Sequence, residues 1–392
     1  MLIREIRLQN LLSFGPDTPP LELRPLNVLI GPNGSGKSNL IEAIGLLQAA
    51  PDELLAPFQL GNGIEDWIWK GNPTGKLQME CVIDAPMNGM GMRRFRHQLS
   101  IEQKAHRPYL EHEQIVELSA SSGVQTQLFD GRYEHGTFTR GNGEERVDWT
   151  EHEVNRSVVA LRRDPKQFAG ITALGDAYRE IRCYRDWNFS RNAALRQPQL
   201  TMGNDHRLEE DFSNLVLVIH RLRNDIAIKE SLLSHLNGVL SDVTDIGVQV
   251  VGPRLQLFLQ EGRVNIPASR LSDGTLHMVC LAAILLDPNP PPLICIEEPE
   301  LGLHPDAIST VVRMLQEAAA RTQVIVTTHS DVMVDALSDS PEAVIVCDRT
   351  DIPDQPVSTT MNRLIGQELQ GWLEKYSLGN LWRTGQIGGN RW

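Results

Sequence analysis

The chain has 392 residues, a formal net charge of −13 and an ordinary balance of apolar and charged residues. That length allows two or three domains and a sizeable core. The acidic balance argues against a general polyanion binder, so Arg93, Arg94 and Arg96, and the pair Arg162 and Arg163, read first as solvated strand and loop faces.

In chain order, Met1 to Leu8 reads as a strand, and Gln9 to Phe14 continues it or turns. Pro16, Pro19 and Pro20 mark a loop before an apolar run, Leu26 to Ile30, that reads as a buried strand. Gly31-Pro32-Asn33-Gly34-Ser35-Gly36-Lys37-Ser38 then fits G-x-x-x-x-G-K-[ST]. Leu40, Ile41, Ile44 and Leu47 follow on one helical face, and Pro51 is expected to close that helix. Glycines let backbone N–H groups curl around phosphate oxygens, and a helix N-terminus adds partial positive charge. Lys37 is placed to reach the β- and γ-phosphates, and the Ser38 hydroxyl to ligate Mg²⁺. The bland alternative, a plain Gly-rich turn, does not require this strand–loop–helix context.

From about residue 75 to 140 the period changes to two. Leu77, Met79, Cys81 and Ile83 alternate with polar residues, as do Phe95, His97, Leu99 and Ile101. Ile115 to Leu118, Val124 to Phe129 and Arg132 to Phe138 read as further short strands of an antiparallel meander. Residues 150–245 read as helical, with one long pattern from His206 to Leu240 and no sustained heptad. A hairpin follows, with Leu255, Leu257 and Leu259 on one face and a turn near Glu261-Gly262. Strand–helix alternation returns over 270–350, which implies a parallel sheet. Met361 to Tyr376 reads as an amphipathic helix, before an aromatic, Gly-rich tail that includes Trp382 and Trp392.

Three later motifs carry chemistry. Leu293-Ile294-Cys295-Ile296-Glu297-Glu298 is an apolar strand ending in paired carboxylates. Glu297 is expected near Mg²⁺, directly or through water, and Glu298 on the attacking water. His329, in Thr327-Thr328-His329-Ser330, ends another apolar strand, where open parallel sheets bind ligands. Leu271-Ser272-Asp273-Gly274-Thr275 precedes a helix, where Ser272 would ordinarily be an N-cap.

The five cysteines are scattered, with no C-x-x-C pair, which suggests a reducing compartment. No signal peptide opens the chain and no apolar run reaches the length of a membrane span, so a cytoplasmic protein without membrane partners is expected.

Together, the P-loop, Leu271-Ser272-Asp273-Gly274, Glu297-Glu298 and His329 resemble the ATP-binding-cassette (ABC) ATPases. Glu297-Glu298-Pro299-Glu300-Leu301-Gly302-Leu303-His304-Pro305 and the Ser after His329 look like the RecF/SMC/OLD-type branch. The chain is most similar to small single-cassette ATPases of the AAA_21 type, including Trp372 to Trp382 near the end. The resemblance implies an α/β fold: an ABC-type P-loop ATPase head, a mixed sheet with flanking helices, carrying an inserted antiparallel β-meander and a helical lobe. The expected division is core at 1–75, meander lobe at 76–150, helical lobe at 151–250, core again at 251–350, and a tail at 351–392.

The resemblance further implies that two chains sandwich two ATP molecules with Mg²⁺. Asn33, Gly34, Ser35, Gly36, Lys37, Ser38 and Asn39 would hold ATP, with Ser38 and Glu297 toward the metal. Glu298 would be the catalytic base, His329 the switch, and Ser272 and Gly274 would complete the partner's site in trans. Glu300 to His304 would form the D-loop across the interface. Asp273, Thr275 and Glu297 depart from the commoner pattern, and the Q-loop Gln is not placed, Gln78 and Gln98 being candidates. Lys37 and Ser272 are 235 residues apart, room for a compact lobe but not a long coiled-coil arm. Only 45 residues follow Cys347, too few for the Toprim nuclease domain of OLD proteins. The expected role is therefore the ATPase subunit of a prokaryotic defence or toxin-like system, gating a separately encoded effector such as a nuclease. A RecF-like ATPase that clamps DNA is the alternative, and a transporter cassette ranks third.

Overall fold

The computed structural model describes residues 1–59, 62–71, 75–87, 89–119, 124–132, 135–140, 143–148, 155–240, 242–350 and 356–388. Trp392 lies outside these residues. The centre is a six-stranded sheet in the order Arg182–Tyr184, Leu293–Glu297, Gln323–Thr327, Leu26–Ile30, Val344–Thr350, Ser358–Arg363. Its first five strands are parallel, and the last is antiparallel. The central strands Leu293–Glu297, Gln323–Thr327 and Leu26–Ile30 are buried along nearly their whole length because both faces are covered, whereas the last strand, Ser358–Arg363, is mostly polar. Val28, Ile30, Ile294, Ile296, Val324 and Val326 enter one core, and Leu29, Leu293, Cys295 and Ile325 the other.

That second core explains the large antiparallel sheet. The P-loop helix, Lys37–Glu53, buries Leu40, Ile41, Ile44 and Leu47 between the parallel sheet and the inward face of the meander, Leu77, Met79, Cys81 and Ile83. The eight strands run Leu21–Glu22, Ile3–Gln9, Lys76–Met87, Gly91–Lys104, Arg107–Leu118, Gln125–Arg132, His135–Arg140, Gly143–Asp148. The meander is thus not closed on itself: Ile6 pairs with Cys81, so the sheet runs across the expected division at residue 75. Arg94 binds Asp84 and Arg93 faces Glu117, which makes this run a paired strand face. A buried set, His97 between Tyr178 and Glu113, with Glu113 also accepting from Ser157 and the Val158 N–H, ties the meander to the helices that follow.

Several sequence expectations need correction. Arg132 to Phe138 is not one strand, because it spans the joint of two paired strands, where Arg132 faces His135. Pro51 lies in the last turn of its helix, which ends at Glu53. The pattern from His206 to Leu240 divides into Leu215–Arg223 and Ile226–Asn237, because Asp225 caps the second helix by accepting from Ala227 and Ile228. The expected helical lobe also contains a core strand, Arg182–Tyr184, and Val243–Val251 pairs with Arg254–Glu261. Met361 belongs to the strand Ser358–Arg363, and the tail helix is only Gly366–Leu373. A second short tail helix, Leu378–Arg383, docks on the segment after His329 through Gly379 N–H to Asp335 and Arg383 to Asp331.

Candidate nucleotide site

The strands Leu26–Ile30, Leu293–Glu297 and Gln323–Thr327 are neighbours in one parallel sheet, so their C-terminal ends bring the P-loop, the paired carboxylates and His329 to one edge. The loop geometry follows from its glycines. Gly31, Gly34 and Gly36 have φ of 143°, 74° and 93°. A Cβ at Gly31 would overlap the Cys347 carbonyl, and one at Gly36 the Thr359 and Ser13 hydroxyls. Gly36 is the N-cap of the 17-residue helix and lends it no side-chain cap, leaving first-turn N–H groups for an anion. Lys37 is buried and its ammonium donates to the Gly31 and Pro32 carbonyls, at 2.8 Å each. The Ser35 hydroxyl is buried in the cradle without a hydrogen-bond partner. Asn39 instead donates to Ser13 Oγ at 2.7 Å, and Thr359 lies 3.0 Å from the Ser35 carbonyl, so both brace the loop from behind.

Glu298 follows its strand, Leu293–Glu297, with φ of 46°, a left-handed conformation costly for a non-glycine residue. Its N–H donates to the Thr327 carbonyl at 3.0 Å. This turn separates the two carboxylates. Glu298 Oε1 lies 3.6 Å from His329 Nε2, both groups partly exposed. Glu297 instead accepts from Arg185 Nε at 2.6 Å, and its backbone carbonyl accepts from Trp187 Nε1 at 2.8 Å. Glu300 lies beneath the His329 loop, where one carboxylate oxygen accepts from Thr328 Oγ1 at 2.6 Å and the His329 N–H at 2.8 Å. Its other oxygen is buried without a partner. Burial raises the Glu300 carboxyl above its ordinary range despite these bonds.

Ser272 caps the helix Asp273–Leu285, accepting from the Thr275 N–H at 3.1 Å. Asp273 pairs with Arg196, a buried guanidinium that also donates to the carbonyls of Phe189, Ala268 and Leu271. Gly274 faces the Gly302 carbonyl, where a Cβ would come within 3.3 Å. His277 of the same helix donates from Nδ1 to the Leu301 carbonyl at 2.9 Å and packs on Trp187, ring centres 4.0 Å apart. Burial lowers its pKa from 6.5 to about 4. Within one chain, Ser272 and Gly274 therefore sit with Arg196 and the 300–302 loop.

The sequence did not single out Arg185, Trp187, Arg196 or His277, and it placed Glu300 only within the expected D-loop, Glu300 to His304. Gln78 lies opposite Gln9, and Gln98 donates to Glu80, both inside the antiparallel sheet. The residue that follows the strand beside Glu297 is Arg185. Among the described residues no set of three or more His, Cys, Asp and Glu could hold a metal ion alone. A hydroxyl, as at Ser38, and a carboxylate, as at Glu297, are donor types that would suit Mg²⁺ arriving with phosphates and its own waters. Among the described residues no helix is long and apolar enough to cross a membrane.

The fold is shared with SMC head domains. An SMC head bound to the C-winged helix domain of ScpA matches with a TM-score of 0.56 at 14% identity, covering 93% of this chain and 99% of that one. The Smc head with an extended coiled coil bound to the C-terminal domain of ScpA, from Pyrococcus furiosus, gives 0.52 at 13% identity, with 96% and 99% covered. The Smc head domain with a coiled coil and joint from Pyrococcus yayanosii gives 0.50 at 12%, with 96% and 99% covered. No curated protein sequence matches. Residues 26–335 match the family described as AAA domain, putative AbiEii toxin, Type IV TA system, and the chain belongs to that family.

Proposed function

We propose that the chain binds Mg²⁺ and ATP at Gly31–Ser38 and hydrolyses ATP in a site completed by Ser272 and Gly274 of a second copy. The observation that carries this reading is Glu298. A carboxylate is held in a strained left-handed turn at the C-terminal end of the sheet, 3.6 Å from His329, whose strand lies between that of Glu298 and the P-loop strand. In this reading Lys37 and the loop N–H groups bind the phosphates, and Asn33, Gly34, Ser35 and Gly36 shape their cradle. Asn39 braces the loop through Ser13. Ser38 and Glu297 hold the metal, which supplies charge neutralisation at the phosphates. Glu298 orients the attacking water and takes its proton, and His329 lies against both the water and Glu298. Glu300 fixes the His329 peptide from below.

Nucleotide state would then govern dimer assembly, and through it a separately encoded partner. The family description, which names a putative toxin of a Type IV toxin–antitoxin system, supports a defence or toxin-like setting. The test is ATP turnover and size-exclusion chromatography, with and without ATP. Lys37→Ala should abolish binding. Glu298→Gln should abolish turnover and accumulate an ATP-bound dimer; normal turnover by Glu298→Gln would overturn the assignment. Affinity capture of the trapped dimer from native cells, read for protein and nucleic acid, distinguishes an effector partner from clamped DNA.

A further inference from the structure

The carboxylate expected to meet the metal is not free. Arg185 Nε lies 2.6 Å from Glu297 Oε1, and its Nη2 lies 3.8 Å from Glu42 Oε2 on the P-loop helix. Arg185 follows the strand Arg182–Tyr184, which pairs directly with the strand of Glu297. Burial works against its charge, but Glu297 and Glu42 more than offset this and keep the guanidinium protonated. Beside it opens a recess of about 500 Å³ lined by Glu42, Gln48, Asp66 and Trp67 among others. The recess thus offers two further carboxylates and the space to reach them.

A guanidinium and a divalent cation cannot both sit against one carboxylate oxygen without strong repulsion. We propose that Arg185 is a built-in counter-cation of Glu297, which yields that carboxylate to the divalent ion and swings onto Glu42 in the adjoining recess. Metal binding is then an exchange of cations and not the filling of an unpaired carboxylate. The exchange keeps Glu297 compensated when no metal is bound, and it keeps Arg185 compensated when metal arrives. The Trp187 indole, bound to the Glu297 carbonyl, fixes the backbone on which this exchange occurs. Arg185 is a positioning residue here, since it acts through Glu297. The inference rests on the metal–nucleotide reading above.

The test is Mn²⁺ titration followed by the electron paramagnetic resonance of free Mn²⁺, on the full chain with a non-hydrolysable ATP analogue. Arg185→Gln removes the competing cation and should tighten Mn²⁺ binding about tenfold, the worth of one charge-assisted hydrogen bond. Glu42→Gln removes the landing carboxylate and should weaken Mn²⁺ binding, but only while Arg185 is present. Fluorescent-nucleotide binding in EDTA should be the same for Arg185→Gln and the native chain. Unchanged or weakened Mn²⁺ affinity in Arg185→Gln overturns the exchange, as does weakened binding in EDTA, which would make Arg185 a phosphate ligand. If the native chain binds no nucleotide with or without metal, the P-loop reading itself falls. Thermal melting of each variant confirms that it is folded.

Discussion

Acid should loosen the joint between the helix Asp273–Leu285 and the loop after Glu298, through His277. This ring is buried, donates from Nδ1 to the Leu301 carbonyl, and leaves Nε2 buried without a partner. Burial holds its pKa at about 4, against 6.5 for an ordinary histidine. Because the folded value is depressed, the stability it supports is intact above pH 6.5 and falls as the pH drops toward 4. The unfolded chain binds a proton there that the folded chain refuses. At 1.36 kcal/mol per unit, the cost is about 2 kcal/mol at pH 5 and about 3 kcal/mol at pH 4. His277→Gln removes the titration. Urea unfolding of both chains at about pH 7.5 and about pH 5 should show the native chain losing about 2 kcal/mol relative to the variant. The His277 ring resonances, assigned by their loss in the variant, should not move above about pH 5. An unchanged gap, or a ring titrating near 6.5, would refute the idea that the fold holds His277 neutral.

Gly36→Ala should abolish fluorescent-ATP binding, because its Cβ collides with Thr359 and Ser13, whereas Gly34→Ala meets nothing closer than Arg349 at 3.8 Å and should cost only about 1–2 kcal/mol of left-handed strain. Glu300→Gln keeps an oxygen for Thr328 and the His329 N–H. Since the raised carboxyl pKa makes ionised Glu300 a liability as pH rises through its folded pKa, thermal melts should show the variant melting higher than the native chain at neutral pH. That advantage should fade below about pH 4.5. Arg196→Ala strands the Phe189 and Leu271 carbonyls, leaves the Ala268 carbonyl with only the Leu271 N–H, and should cost about 2–3 kcal/mol by urea unfolding; Arg196→Lys should not restore it, because an ammonium lacks the planar fork.

The P-loop, Glu298 and His329 were legible in the sequence because phosphate chemistry fixes residue types at close spacing. Gly31 to Ser38 are contiguous, and an apolar strand announces each carboxylate or histidine at its end. What escaped is set by pairing across the chain. Arg182–Tyr184 spans only three residues, too short for a period to emerge, yet it is the strand beside Glu297 and therefore decides that Arg185 meets that carboxylate. The left-handed turn at Glu298 was equally silent, since glutamate carries no local preference for it. The helical pattern from His206 was over-extended because its apolar spacing continues through the capping Asp225. Strand pairing across residue 75 was hidden because Ile3–Gln9 and Lys76–Met87 lie far apart in the chain.

These silent residues form one connected segment. Arg185 and Trp187 bind Glu297, Trp187 and Phe189 pack on His277, and the Phe189 carbonyl takes Arg196, which holds Leu271 and Asp273. In a head-to-tail dimer, Glu297 would serve the nucleotide bound by its own chain, and Ser272 the nucleotide of the other. Residues 185–196 would then join the two halves that each chain contributes. A static chain of contacts transmits nothing by itself; coupling requires an element with two arrangements that both sites bias. Arg185, between Glu297 and Glu42, is the element of that segment with two carboxylates in reach. If it exchanges, Arg185→Gln should change metal affinity and also uncouple it from the ATP-driven dimer. If the segment is only a rigid brace, Arg196→Ala should disturb the dimer as much as Arg185→Gln does while leaving Mn²⁺ affinity untouched.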